Sequence, residues 1–168
     1  MSDYLLPIAD REPLAWIIEQ QRTAVAAHRR TEAEKLQPGD RILLYTTRGC
    51  FRNPTRDRGL VIGQAEVVKP ARVLHKPIRF RGREYPIGID LRIRSLAPMR
   101  HGVELTPIVA QLESFPNKKA WSGYLRRALV PITAPDADIL AAALGQVSTS
   151  YARASPSYPT PEHPRRTP

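Results

Sequence analysis

Apolar and polar residues change rhythm several times along the chain, and each change predicts an element. "DYLLPIA" (3–9) is a short apolar run bounded by Asp10 and reads as a first strand. "REPLAWIIEQ" (11–20) places Leu14, Ile17 and Ile18 at helical spacing, with Pro13 in the first turn, where its missing N–H costs nothing. "TAVAAHRRTEAEKL" (23–36) is rich in helix formers and predicts a second helix capped by Thr23. After the turn "QPGD", the segments "RILLYTT" (41–47) and "LVIGQAEVVKP" (60–70) carry strand-like enrichment. Gly63 stands in the second of them where a bulge or a close backbone approach belongs. Between the two, "RGCFRNPTRDRG" (48–59) is too rich in Gly, Pro and Arg for regular structure, and loops of that length inside compact domains are often functional.

The β pattern continues through "ARVLHKPIRF" (71–80) and "REYPIGIDLRIRSL" (83–96). In the latter, Ile87, Ile89, Leu91, Ile93 and Ser95 share one face, while Asp90, Arg92 and Arg94 share the other, which predicts a half-buried strand with a charged outer face. "TPIVAQLESF" (106–115) predicts a short helix, "RALVPI" (127–132) a final strand, and "TAPDADILAAAL" (133–144) a closing helix ending at Gly145. Helices at the two ends and strands between them predict an α+β domain over residues 1–144, a curved sheet or small β-barrel with flanking helices. From Gly145 onward the chain loses aliphatic periodicity and fills with Pro, Ser and Thr. That predicts a disordered tail over 145–168, with Arg165 and Arg166 adding weak attraction to phosphates.

Composition then narrows the partners. The 168 residues suit one domain, and 26 Lys and Arg against 16 Asp and Glu give a formal charge of +10. DNA or RNA comes first as a partner, and a merely solvated positive surface is the ordinary alternative. Cys50 is the only cysteine, which excludes an intramolecular disulfide and a Cys-rich metal site and fits a reducing interior. The first residues lack a signal-peptide pattern and no run of about 18 apolar residues occurs, so a cytoplasmic protein without membrane contact is expected. His28, His75, His101 and His163 lack ligand spacing, so neither a metal nor a cofactor is expected.

The densest candidate chemistry is "NKKAWSGYLRRAL" (117–129). Trp121 there is either a stacking wall for a base or a plug for one end of the barrel. Lys118, Lys119, Arg126 and Arg127 suit phosphates, since long cations position nucleic acid without reading its sequence. If Arg126 and Arg127 open a strand they face opposite sides, and only one, with Arg126 favoured, serves a given site. In the long loop, Phe51 beside Arg52 either stacks on a flanking base or anchors the loop. For hydrolysis the candidates are Glu66, Asp90, Glu104, Glu113 and Cys50, which form no compelling set, although the basic loop around Cys50 is expected to lower its thiol pKa.

Four segments in order, "LQPGDRILLYTT", "GLVIGQAEVV", "SFPNKKAWSGYLRRALVPI" and "DADIL", resemble an EVE domain of the PUA-like superfamily, in its bacterial branch of short stand-alone proteins. The resemblance runs from residue 4 to about 144. It implies a five- or six-stranded barrel flanked by helices, similar to the YTH domains that read methylated adenine in RNA, with a pocket that accepts a flipped-out, modified base. It further implies that Tyr45, Thr46 and Thr47 stand near the pocket mouth and that Thr23 to His28 form an edge, with Trp121 as a wall. His28 matches a family histidine usually followed by glycine, here Arg29, and Ser122 and Ala128 stand where the family often has glycines, departures expected to narrow or close the pocket. Two other classes stay open: a hydrolase of the ASCH-like type acting on a nucleoside or RNA, and a protein-binding adaptor with a vestigial pocket.

Overall fold

The computed structural model of the chain describes residues 1–161. Strand β1 (Asp3–Ile8) runs parallel to β3 (Arg41–Thr46), with Leu5 opposite Leu43, and β8 (Val130–Ile132) pairs antiparallel on the other edge of β1. Antiparallel to β3 comes β4 (Leu60–Val67), then the long β6 (Arg83–Leu96), then β2 (Arg22–Val25). The order β2-β6-β4-β3-β1-β8 leaves three side pairs: β5 (Arg72–Phe80) on β6, β7 (Val103–Glu104) on β4, and β9 (Thr149–Ser150) on β6. This mixed sheet curls into a half-barrel flanked by helices, the α+β architecture the sequence predicts, open between its two end strands rather than closed.

Burial on both sides explains the uninterrupted apolar run of β3. Ile42 and Leu44 join Leu6, Ile8 and Ile62 in one core, while Leu43 and Tyr45 join Leu5, Phe115 and Leu140 in a second core on the opposite face. Strands covered on both faces lose their alternation. The curl comes from two register slips, at Leu44/Tyr45 against β4 and at Gln64/Ala65 against β6. Each bulge bends its strand and increases the local twist. Gly63 lies between them, where an added Cβ would stand 3.0 Å from the Ser95 carbonyl, so the expected close approach is present. The second slip also corrects one assignment: Ser95, expected inward, is half-buried, and Leu96 is the fully buried residue, because a one-residue shift reverses the facing.

Helix α1 (Arg11–Gln20) starts at Asp10, whose carboxylate accepts the Glu12 N–H at 3.2 Å, and it buries Leu14, Ala15, Ile17 and Ile18. It stops at Gln21, in the left-handed conformation with φ 49°, which turns the chain directly into β2. The second helix expected over 23–36 is therefore shorter and later. Residues 22–25 pair with β6, Thr23 opposite Ile89, before a 3₁₀ turn at 27–29 and the brief α2 (Arg30–Glu34). Thr23 is a buried strand residue instead of a cap, because a cross-strand ladder outweighs the modest propensity of Ala and Glu for helix. Likewise 106–115 holds only a 3₁₀ turn (Val109–Gln111). Its end is held by the buried Asp136, which accepts the N–H groups of Glu113 and Ser114 at 3.1 and 2.7 Å from the first turn of α3 (Ala134–Gly145).

The tail expected to be disordered from Gly145 is structured through residue 158. After β9 come α4 (Tyr151–Ala154) and a 3₁₀ turn (Ser155–Ser157), with Ala154 and Tyr158 buried in the first core. The Tyr151 hydroxyl donates to the Ile18 carbonyl at 2.5 Å, and the Tyr158 hydroxyl donates to the Ala97 carbonyl at 2.7 Å. Two tyrosines and one alanine supply apolar surface that a Pro and Ser count overlooks. Arg165 and Arg166 lie outside the described residues. No helix among the described residues is long and apolar enough to cross a membrane.

Replacing Tyr158 by Phe keeps the packing and leaves the Ala97 carbonyl without its donor. A loss of about 1–2 kcal/mol is expected, read as a lower urea midpoint with unchanged slope.

Candidate functional site

One cleft of about 860 Å³ opens at the edge of the half-barrel. Its floor is the end of β1 and all but the first residue of β2, including Leu6, Ile8, Thr23 and Val25. The first turns of α1, with Pro13 and Trp16, form one wall. The tip of the β5–β6 hairpin, Phe80 to Tyr85, forms another, and residues 125–128 close a third side. Thr47 holds its place at the margin by donating its N–H to the Ile8 carbonyl at 3.0 Å.

Three aromatic rings bear on this cleft. The half-buried Trp16 meets Phe80 edge to face, with centroids 5.9 Å apart, and Phe80 meets Tyr85 at 5.7 Å. Trp16 lies on α1 between the buried positions that define the helix's apolar stripe, so its ring packs against the first core while staying half-exposed to the cleft. Phe80 and Tyr85 come from opposite arms of a hairpin turned by Arg81 and Gly82, both with positive φ (50° and 74°), the twist that suits a two-residue connection.

The charges around the cleft are unevenly paired. Asp10, capping α1, also binds Arg81 of the hairpin tip at 3.0 Å, which ties the two walls together, and Arg52 stands 3.7 Å away. Arg29 is engaged with Glu32 at 2.8 Å and with the Arg126 carbonyl at 3.3 Å. Glu84 is paired with Arg79. Arg83, Arg126 and Arg127 make no ion pair among the described residues. The margin therefore offers free guanidinium groups next to an aromatic wall.

Of the residues expected to form a site, Thr23, His28, Thr47, Arg126 and Arg127 do line the cleft. Arg126 and Arg127 both reach it, contrary to the expectation that only one would, because they end a 3₁₀ turn (Trp121–Arg126) and enter an extended residue instead of opening a strand. The same turn removes Trp121. At three residues per turn Trp121 and Tyr124 stack on one side, and both pack on Phe115 of the second core, at 6.2 and 5.7 Å. Trp121 is half-buried, packs on the second core and lies outside the cleft, and the indole that lines the cleft is Trp16, to which the sequence analysis assigns no role. An aromatic off an amphipathic helix's stripe was the available signal.

The remaining candidates fall elsewhere. Tyr45 is buried in the second core against Gly59, its hydroxyl pushed up to about 12 by burial, with Arg48 opposing. Thr46 is buried beneath the Leu60 carbonyl at 3.5 Å. Phe51 packs on the first core with the Arg100 guanidinium 5.0 Å from its ring centre, so it anchors the loop. Lys118 donates to the Leu112 carbonyl, and Lys119 is exposed outside the cleft. Cys50 is fully buried, and burial, followed by the charges of Asp10 and Asp57, pushes its thiol up to about 12, opposite to the lowering expected from a basic loop. Glu66 and Asp90 sit in separate arginine pairs on the charged side of the sheet, at Arg94 (2.6 Å) and Arg72 (2.9 Å). No group of three or more His, Cys, Asp or Glu placed to hold a metal occurs among the described residues.

The chain is 27% identical over 128 residues to a UPF0310 protein of Pyrococcus abyssi, covering 73% of this chain and 84% of that one. No family model matches it. Among solved structures, the YTH domain of the Zygosaccharomyces rouxii MRB1 protein in complex with N6-methyladenosine RNA superposes with TM-score 0.62 at 14% identity, covering 90% of each chain. The Mmi1 YTH domain in complex with RNA gives 0.59 at 11% identity, covering 86% of this chain and 78% of that one. Rpa0253 of Rhodopseudomonas palustris gives 0.53 at 19%, covering 88% and 95%. The shared feature is the fold, that of the YTH and PUA-like proteins.

Two pH responses follow from the geometry. The native Cys50 thiol should resist iodoacetamide at pH 8 and react at once on unfolding, which mass spectrometry after timed labelling will show. Asp90 is raised by burial, but its hydrogen bond and the charges of Arg72, Arg22 and Lys69 outweigh that and hold it below the ordinary carboxylate range. A depressed native value contributes stability above the unfolded value near 3.8 and loses it as pH falls through the lower native one. Asp90→Asn should therefore destabilise the protein at pH 6 more than at pH 3, measured by urea unfolding.

Proposed function

We propose that this chain binds nucleic acid and receives one extruded, modified base in the cleft beside Trp16, as a member of the EVE group of PUA-like proteins. The observation that carries the reading is the pairing of a partly exposed indole with unpaired arginines around a hollow of about 860 Å³. That volume falls in the range of roughly 300–1,000 Å³ usual for small-ligand sites. The fold likeness to a YTH domain in complex with N6-methyladenosine RNA supports the same reading.

The chemistry of recognition needs each of these parts. A modified base differs from its parent by about one methyl group, worth only roughly 1–3 kcal/mol, so discrimination needs a close apolar wall with fixed polar contacts. Trp16, Phe80 and Tyr85 supply the wall, and Thr23 and Thr47 with the outer edge of β2, the end strand of the sheet, supply donors and acceptors. Stacking on an aromatic face contributes about 1–3 kcal/mol per base. Arg126 and Arg127, joined by Arg83, take the flanking phosphates, fixing position without reading sequence. Cys50 is buried, and Glu66 and Asp90 are held in separate arginine pairs, so the reading rests on the cleft and is one of binding.

Fluorescence anisotropy with paired oligonucleotides, differing in one N6-methyladenine, tests this. Trp16→Ala is expected to weaken binding of the modified strand by about 5- to 100-fold and bring the two affinities together. Trp121→Ala should instead lower stability by about 1–3 kcal/mol and leave the affinity ratio unchanged. If Trp16→Ala keeps the ratio of the parent protein, or the parent has no preference across a panel of modified bases, the cleft is not a base reader.

A further inference from the structure

A second hollow, of about 420 Å³, lies where the C-terminal end of α1 meets β2 and the middle of β6. It is lined by Arg22, Lys69, Arg72 and Arg92, with Asp90 as its only acid. Along β2 it begins at Arg22, the residue before Thr23 of the cleft, and along α1 it begins at Gln20, one turn beyond Trp16. On β6, Asp90 stands five residues from Tyr85, about 17 Å along the strand. The two hollows thus adjoin across α1 and β2.

The floor is rigid. Gln21 accepts the Leu91 N–H on its carbonyl at 2.9 Å and the Ile93 N–H on its side chain at 2.8 Å, and Val68 donates to the Asp90 carbonyl at 2.9 Å. The cations above that floor are only loosely committed. Arg22 and Arg72 share the single Asp90 carboxylate, at 3.1 and 2.9 Å, and Arg92 leans on Glu66 at 3.3 Å. Lys69 makes no ion pair among the described residues. Partly exposed pairs of this kind contribute about 0–1 kcal/mol, so exchanging them for a phosphate costs little. The Arg72 guanidinium meets Asp90 through two nitrogens, the planar fork that also fits a phosphate.

We propose that this hollow is a saddle for the phosphodiester backbone of the strand whose extruded base enters the cleft. The proposal rests on the nucleic-acid reading of the cleft and adds a surface, Arg22, Lys69, Arg72 and Arg92, that the base itself never touches. Charge complementarity selects the occupant: four cations around one carboxylate on a concave, fixed floor suit a continuous polyanion.

Salt titration of anisotropy with a single-stranded dodecamer, with and without the modified base, tests it. The saddle variant Lys69→Gln/Arg72→Gln/Arg92→Gln is compared with Arg56→Gln/Arg58→Gln/Arg153→Gln, which removes equal charge from exposed sites outside both hollows. Melting curves should show both variants folded at the temperature of the binding assay, the saddle variant melting somewhat lower because Asp90 loses Arg72. For three lost phosphate contacts, the slope of log K against log salt is expected to shrink by about 2, and affinity at 0.1 M salt to fall at least about tenfold beyond the control. The preference for the modified base should persist, since the cleft is intact. A saddle variant that matches the control overturns the proposal and leaves the base cleft standing. A parent that binds no oligonucleotide overturns both.

Discussion

The backbone of β6 is the constraint on which the molecule is organised. Over 14 residues it satisfies its N–H and C=O groups with β5 and β2 in its first half, and with β4 and β9 in its second. Buried backbone polar groups must find partners, so each change of partner is a fixed point around which other elements settle. β2 exists as a strand because Ile87–Asp90 offers it a ladder, and the tail folds in because Ser95 and Leu96 offer β9 another. The bulge opposite Gln64 and Ala65 then bends this long strand, so that its start leans over the cleft while its end is sealed in the core.

This arrangement sorts the charge of the chain. On the facing away from the core, β6 carries Asp90, Arg92 and Arg94, and its neighbours add Arg22, Arg72 and Glu66. Arginines outnumber carboxylates there, and each acid is divided between two of them: Asp90 between Arg22 and Arg72, Glu66 between Arg92 and Arg94. Buried pairs are costly to break, but such shared surface pairs are screened and exchangeable. By contrast, Arg41 is drawn down onto the buried Asp3 at 2.5 Å, and Asp138 adds a second partner at 2.9 Å. The hydrogen bonds and charges of these two acids outweigh burial, the larger but opposing influence, and hold the guanidinium above its ordinary range. That arginine belongs to the fold, and the looser ones are available to a partner.

Most of the β framework was legible because alternation on β6 and the two-sided apolar run of β3 are strong periodic signals. The α+β class and the curved sheet followed from the order of those segments. What failed did so where a long-range partner overruled a local preference. "TAVA" favours helix in isolation, and no local pattern shows that β6 has a free edge waiting for it. The 145–158 segment reads as disordered by composition, yet Tyr151 and Tyr158 each reach a specific carbonyl, of Ile18 and Ala97. Thr23, His28, Thr47, Arg126 and Arg127 line the cleft, and what singles them out in the sequence is the family resemblance and the basic segment 117–129, not a periodic signal.

The placement of the two tryptophans shows why aromatic surroundings are hard to read from neighbours in sequence. Trp121 has the cations and Trp16 the apolar company, yet it is Trp16 that lines the cleft. The deciding variable is which side of its own helical turn each ring occupies. Trp121 eclipses Tyr124 and shares its contact with Phe115, so its indole is committed to the second core. Trp16 falls between Ala15 and Ile17, off the stripe that Leu14, Ile17 and Ile18 bury, and the hairpin tip brings Phe80 up to its edge. Cations beside a tryptophan in sequence therefore say little about that ring. The phase of the helix fixes where the indole lies, and here the turn that packs Trp121 against the second core also delivers Arg126 and Arg127 to the cleft, whose indole is Trp16.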